Sequence, residues 1–90
     1  MKEAQKIISS LLKNKMIAGA NLFPITSSYW WKGKIRDSNE VASFIETKKE
    51  NFEKIKKKIK ELHSYETPCI TKINVASYKE YEVWVKKETK

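Results

Sequence analysis

Tyr29-Trp30-Trp31-Lys32-Gly33-Lys34-Ile35 places three consecutive large aromatics directly before a glycine-containing turn. Upstream, residues 17–31 carry apolar side chains at a spacing that approaches two. Downstream, residues 40–46 return with Val41, Ser43 and Ile45 on one face and Ala42 and Phe44 on the other. The quoted stretch therefore reads as the tip of a long antiparallel hairpin, with Gly33 and the polar run Arg36-Asp37-Ser38-Asn39 turning the chain. Pro24 lies inside the first strand. Lacking an N–H, it marks a bulge or an edge position, and the strand is expected to bend there. Burying a large apolar side chain is worth about 1.5–3 kcal/mol, which a ring left in water forfeits. A tip this aromatic calls for a partner surface: another subunit, a ligand or nucleic-acid bases.

Helical periodicity brackets the hairpin. Ala4, Ile7, Ile8, Leu11 and Leu12 recur at helical spacing, so the first dozen residues predict an amphipathic helix that fades at Lys13-Asn14-Lys15. After the hairpin, Thr47-Lys48-Lys49-Glu50 has the form of a capping box and precedes a second helix marked by Phe52, Ile55, Ile59 and Leu62. Beyond Pro68, residues 69–76 alternate as a short strand. A second capping box, Ser77-Tyr78-Lys79-Glu80, opens a terminal helix with Tyr78, Tyr81, Trp84 and Val85 on one side. The order α, β, β, α, β, α predicts one α+β domain over residues 1–90. It is a ferredoxin-like two-layer sandwich of βαββαβ type with its first strand missing and an extra C-terminal helix.

Composition narrows the setting. A domain of 90 residues buries only about 60–65% of its unfolded-chain surface, so association or cross-links matter to its stability. Cys69 is the sole cysteine, which excludes an intrachain disulfide and suits a reduced, cytoplasmic environment. No signal-peptide core and no long apolar run is present, so neither secretion nor a membrane partner is expected. The formal charge of +8 favours polyanions in general, but it is concentrated between residues 47 and 63, where seven lysines face three glutamates. Arg36 is the only arginine, whereas specific phosphate or guanine recognition favours the bidentate guanidinium. The lysine run reads first as a solvated helix face. Nucleic-acid binding, if any, is expected to be non-specific and salt-sensitive.

Five collinear segments carry a family resemblance: 21–25 (Asn-Leu-Phe-Pro-Ile), 28–35 (Ser-Tyr-Trp-Trp-Lys-Gly-Lys-Ile), Glu46-Thr47-Lys48, 62–68 (Leu-His-Ser-Tyr-Glu-Thr-Pro) and 81–84. In order and separation they resemble the CutA divalent-cation tolerance family. The resemblance implies a ferredoxin-like subunit in a homotrimer whose bent hairpins are exchanged between neighbours, similar in architecture to the trimeric nitrogen-regulatory signal transducers. It also implies a cytoplasmic protein linked to tolerance of copper and other divalent metals, with no established catalytic reaction. Two departures stand out. The family's cysteine falls on Gly19, and Cys69 stands where the family commonly has glutamate. The family's first strand, expected between the strand before the second helix and the final strand, is absent. A chain without it is expected either to be a shortened form of a longer member or to bring those two edges together.

The candidate residues are then as follows. His63 and Glu66 are the metal candidates, with divalent copper the ion implied, and Cys69 adds a sulfur donor within seven residues. Three donors around a proline are not a zinc or copper spacing signature. His63 also has a structural reading, stabilising the carbonyls at a helix C-terminus. Asn21, Tyr29, Trp31, Lys48, Tyr65 and Trp84 are the residues that the resemblance gathers, with His63 and Glu66, into a pocket at a subunit junction. Lys48 there would suit a small anionic ligand. No nucleophile with a base and orienting group, no glycine-rich phosphate loop and no diagnostic carboxylate pair is present, so the chain reads as a non-enzyme. The alternative class is an RNA-binding module of the same strand order. Its aromatic signature should lie on the central strand, and residues 39–46 do not match it.

Overall fold

The computed structural model of the chain describes residues 1–64 and 68–90. Its elements are α1 (Lys2–Lys13), β1 (Gly19–Trp31), β2 (Lys34–Glu46), a single 3-10 turn over Lys49–Asn51, α2 (Phe52–Leu62) and α3 (Lys79–Glu88). This is an α+β arrangement in which the hairpin and all three expected helices form.

The hairpin is more regular than the sequence suggests. Pairing runs unbroken from Gly19↔Glu46 to Trp31↔Lys34. Lys32 and Gly33 close it as a two-residue turn with φ of 50° and 78°, the left-handed pair whose twist matches that of the strands. Arg36-Asp37-Ser38-Asn39 therefore does not turn the chain but lies within β2, where Asp37 faces Ser28 and accepts its hydroxyl at 2.6 Å. The polarity of this run reflects solvent on the outer hairpin, since the turn is complete in two residues. Pro24 pairs opposite Val41 without a bulge, and its edge position holds, because β2 is the sole neighbour of β1 among the described residues.

The pleat decides where the core sits. Ala20, Leu22 and Ile45 share a face, and against it pack Ile7, Ile8 and Leu11 of α1, Ile17, and Ile55 and Ile59 of α2. Leu11 and Ile17 are fully buried. Only the base of the hairpin is covered in this way, and the molecule measures 45 × 25 × 21 Å as a result.

Both capping boxes fail. Thr47 does not cap a helix, because its hydroxyl donates instead to the Met16 carbonyl at 2.7 Å. Buried Asn51 sends its amide to the same oxygen at 2.9 Å. The carbonyl at the end of the α1–β1 connection is out of water and needs donors, so it outcompetes the helix N–H groups. Ser77 likewise provides no side-chain cap. Its backbone N–H donates to the Glu82 carboxylate at 3.3 Å, and α3 begins after Tyr78.

Residues 69–76 form no strand among the described residues, and the sheet has two strands only. The two edges have not come together. Alternation gives a segment two faces but no ladder partner. Ile73 and Val75 stay largely exposed, while the Lys72 ammonium lies 5.5 Å from the centre of the Phe52 ring of α2.

α1 ends in a paired-carbonyl cap: Met16 N–H donates to Leu11 O and Lys15 N–H to Leu12 O, both at 3.0 Å. The residue that must turn left-handed is Lys15, at φ 58°, where glycine is ordinarily preferred. Lys15→Gly is therefore expected to stabilise the fold by about 1 kcal/mol. Chemical denaturation should show a raised midpoint at an unchanged slope.

Candidate functional site

Three regions hold the residues of interest. The first is the outer hairpin, where odd-numbered β1 residues share one face: Phe23, Ile25, Tyr29 and Trp31, opposite Ala42, Glu40, Arg36 and Lys34. Trp30 and Ile35 face each other on the other side. Trp30 is 72% exposed, Ile35 65%, Trp31 44% and Tyr29 39%, so both faces of the outer hairpin present large apolar side chains to solvent. Phe23 and Phe44 continue the patch inward, with ring centres 5.3 Å apart. Lys32 sits 5.7 Å over the Trp31 ring.

The second region is the base of the hairpin on the side away from α1 and α2. Gly19 and Glu46 pair there, and α3 brings Tyr81 and Trp84 beside them. The Trp84 ring lies 5.6 Å from that of Tyr81. Burial, and then the Glu46 carboxylate to which it donates, push the Tyr81 hydroxyl above its usual value. The Glu46 Oε2 is buried and has no hydrogen-bond partner among the described residues. A β-carbon at Gly19 would meet this oxygen at 3.8 Å and the Trp84 ring at 3.9 Å, ordinary contact distances. A side chain at position 19 would fit, so the glycine is not imposed by space.

The third region is the C-terminal end of α2. His63 is the C-cap residue, half-buried, and its backbone N–H donates to Ile59 O at 2.8 Å, a bond that does not involve the imidazole. Ser64 donates its N–H and its hydroxyl to the two oxygens of Glu3, at 2.6 and 3.0 Å, tying the start of α1 to the end of α2. The Ser64 N–H, then its hydroxyl and the nearby His63 hold the Glu3 carboxyl below the usual carboxylate range. A depressed pKa contributes stability above the unfolded value and loses it as pH falls through the folded one. The melting-temperature difference between the wild type and Glu3→Gln is therefore expected to be constant near neutrality. It should shrink once the pH drops below the ordinary carboxylate value of 4.5.

These positions locate the residues named from sequence. Asn21, Tyr29 and Trp31 share one β1 face, but Tyr29 lies about 26 Å along the strand from Asn21 at roughly 3.3 Å per residue. Trp84 sits at the Gly19 end with Asn21, and half-buried Lys48 follows the end of β2. Within one chain the proposed pocket is thus split between the two ends of the hairpin. Tyr65 and Glu66 lie outside the described residues. Among the described residues no three His, Cys, Asp or Glu side chains gather to hold a metal, and exposed Cys69 has Thr71 Oγ1 3.7 Å away. Sequence reasoning missed Glu3 as the partner of Ser64, a contact 61 residues apart that no local pattern announces. It also passed over the Gly19–Glu46 pairing, which counting back from a turn at Lys32-Gly33 would have given.

The model of the CutA1 divalent ion tolerance proteins matches residues 1–88. The chain belongs to the CutA1 family. A divalent-cation tolerance protein CutA from Pyrococcus horikoshii is 42% identical over 88 residues, covering 97% of this chain and 86% of the relative. The structure of the periplasmic divalent cation tolerance protein CutA from Archaeoglobus fulgidus superposes with a TM-score of 0.96 at 38% identity, covering 98% of this chain and 87% of that one. That of the PII-like protein CutA from Nostoc gives 0.92 at 35% identity, covering 99% and 88%. The chain thus has the fold of CutA1 structures and the family's association with divalent-metal tolerance. Nothing in these likenesses supports an RNA-binding module. These relatives are named as tolerance proteins rather than enzymes, and the Archaeoglobus fulgidus neighbour is called periplasmic. No helix among the described residues is long and apolar enough to cross a membrane.

Proposed function

We propose that this chain is a non-catalytic, cytoplasmic CutA1 protein that works as a homotrimer of ferredoxin-like subunits, with weak contact to divalent copper. The observation that carries the reading is the outer hairpin, whose two faces expose Tyr29, Trp31, Trp30 and Ile35 in a subunit that covers only the hairpin base. An apolar surface of that kind marks an interface. Hairpins exchanged between copies would cover it, and would bring the Tyr29–Trp31 end of one subunit to the Asn21, Lys48 and Trp84 end of another. The pocket split within one chain would then be whole at the junction, where Lys48 would attract a small anion.

Copper follows from the family association and from His63, the one imidazole of the chain. With Gly19 in place of the family thiolate and no cluster of three donors among the described residues, the donor set is too small for a closed site. Calorimetric titration with divalent copper is expected to give micromolar or weaker binding that disappears in His63→Ala. Tight stoichiometric binding that survives this substitution would overturn the metal part of the reading.

A further inference from the structure

A separate cleft lies where α1 ends. It has a volume of about 170 Å³ and is lined by Asn14, Lys15, Met16, Asn51, Lys54 and Lys90. Three segments distant in sequence bring a lysine each: the turn after α1, the first turn of α2, and the residue after Thr89, whose backbone N–H donates to Lys15 O at 2.8 Å. No Asp or Glu side chain lines the cleft. The ion pairs among the described residues are Lys56–Glu53 and Lys58–Glu61, so no Asp or Glu side chain among them pairs with these three lysines. The floor is set by Asn51, 2% exposed and held by its amide bonds to Met16 O and Thr47 Oγ1.

Like charges gathered round one cavity repel, and they do so here in part through Lys15, which holds a left-handed conformation that a glycine would adopt without strain. The repulsion is offset when an anion occupies the cleft. Lysine, a compact point charge with rotatable donors, suits a tetrahedral oxyanion that keeps part of its hydration. A volume of about 170 Å³ compares with ~30 Å³ per water in the liquid, which leaves room for such an ion and several waters. We propose that this cleft binds a small doubly charged oxyanion of the phosphate class, either inorganic phosphate or a phosphomonoester.

The test is a titration of the full chain with inorganic phosphate at low ionic strength, followed by backbone amide shifts. Saturable binding at one site per chain is expected, with shifts centred on residues 14–16, 51–54 and 90. Lys54→Gln should weaken it about tenfold, the loss of one charge-assisted contact. Lys57→Gln, on the exposed side of α2 outside the cleft, should leave it within about twofold. Lys15→Gly separates binding from structure, because it should raise the melting temperature by about 5 °C yet weaken phosphate about tenfold. The proposal is overturned if shifts do not saturate, or if Lys57→Gln costs as much as Lys54→Gln. It is also overturned if Lys15→Gly binds phosphate like the wild type. A short single-stranded oligonucleotide that displaces phosphate and depends equally on Lys57 would assign the charge to a diffuse polyanion surface instead.

Discussion

Leu11→Ala is expected to destabilise the folded chain by about 3 kcal/mol, since removing a buried leucine leaves both a lost transfer term and a cavity. Leu11 has no exposed surface and stands at the centre of the cluster formed by Ile7, Ile8, Ile17 and Ile55. Its neighbours on α1, α2 and the connection between α1 and β1 are held by the hairpin base and by the cap at the end of α1, so the site has little freedom to collapse. Urea unfolding at a fixed protein concentration should show a lower midpoint with the same slope. A loss below about 1 kcal/mol would place the core elsewhere.

Trp31→Ala is expected to cost several kcal/mol of association while leaving the subunit folded. Within one chain the Trp31 ring is 44% exposed and meets Lys32, so little intrachain packing is lost on truncation. Buried at the centre of an interface, the same ring would be of the kind that dominates binding energy. Sedimentation velocity should show a smaller species at micromolar concentration, with the far-ultraviolet circular dichroism of the wild type. An unchanged particle size would remove Trp31 from the interface.

Most of the architecture was legible because it rests on period. The stripe of Ile7, Ile8 and Leu11 announces α1, and the Val41, Ser43, Ile45 alternation gives β2 its correct faces. Period failed where it does not determine pairing. Residues 69–76 alternate like a strand yet form none, because a ladder partner is a property of the sheet and not of the segment. The Arg36–Asn39 polarity mimics a turn because Arg36, Asp37 and Asn39 are exposed on the outer hairpin. The first capping box failed through competition: Thr47 is drawn to a carbonyl 31 residues away. The candidate site was legible as a set of residues through the family resemblance, but not as a geometry, since Asn21 and Tyr29 share a strand face too far apart to meet within one chain. Glu3 with Ser64, and Lys15 with Lys54 and Lys90, are long-range meetings that no window of sequence contains.

The mass of the native particle, taken by light scattering after size exclusion at micromolar concentration, tests the hairpin-mediated assembly most directly. The account predicts three chains of 10.6 kDa in one particle, and a well-folded species of a single 10.6 kDa chain would contradict it.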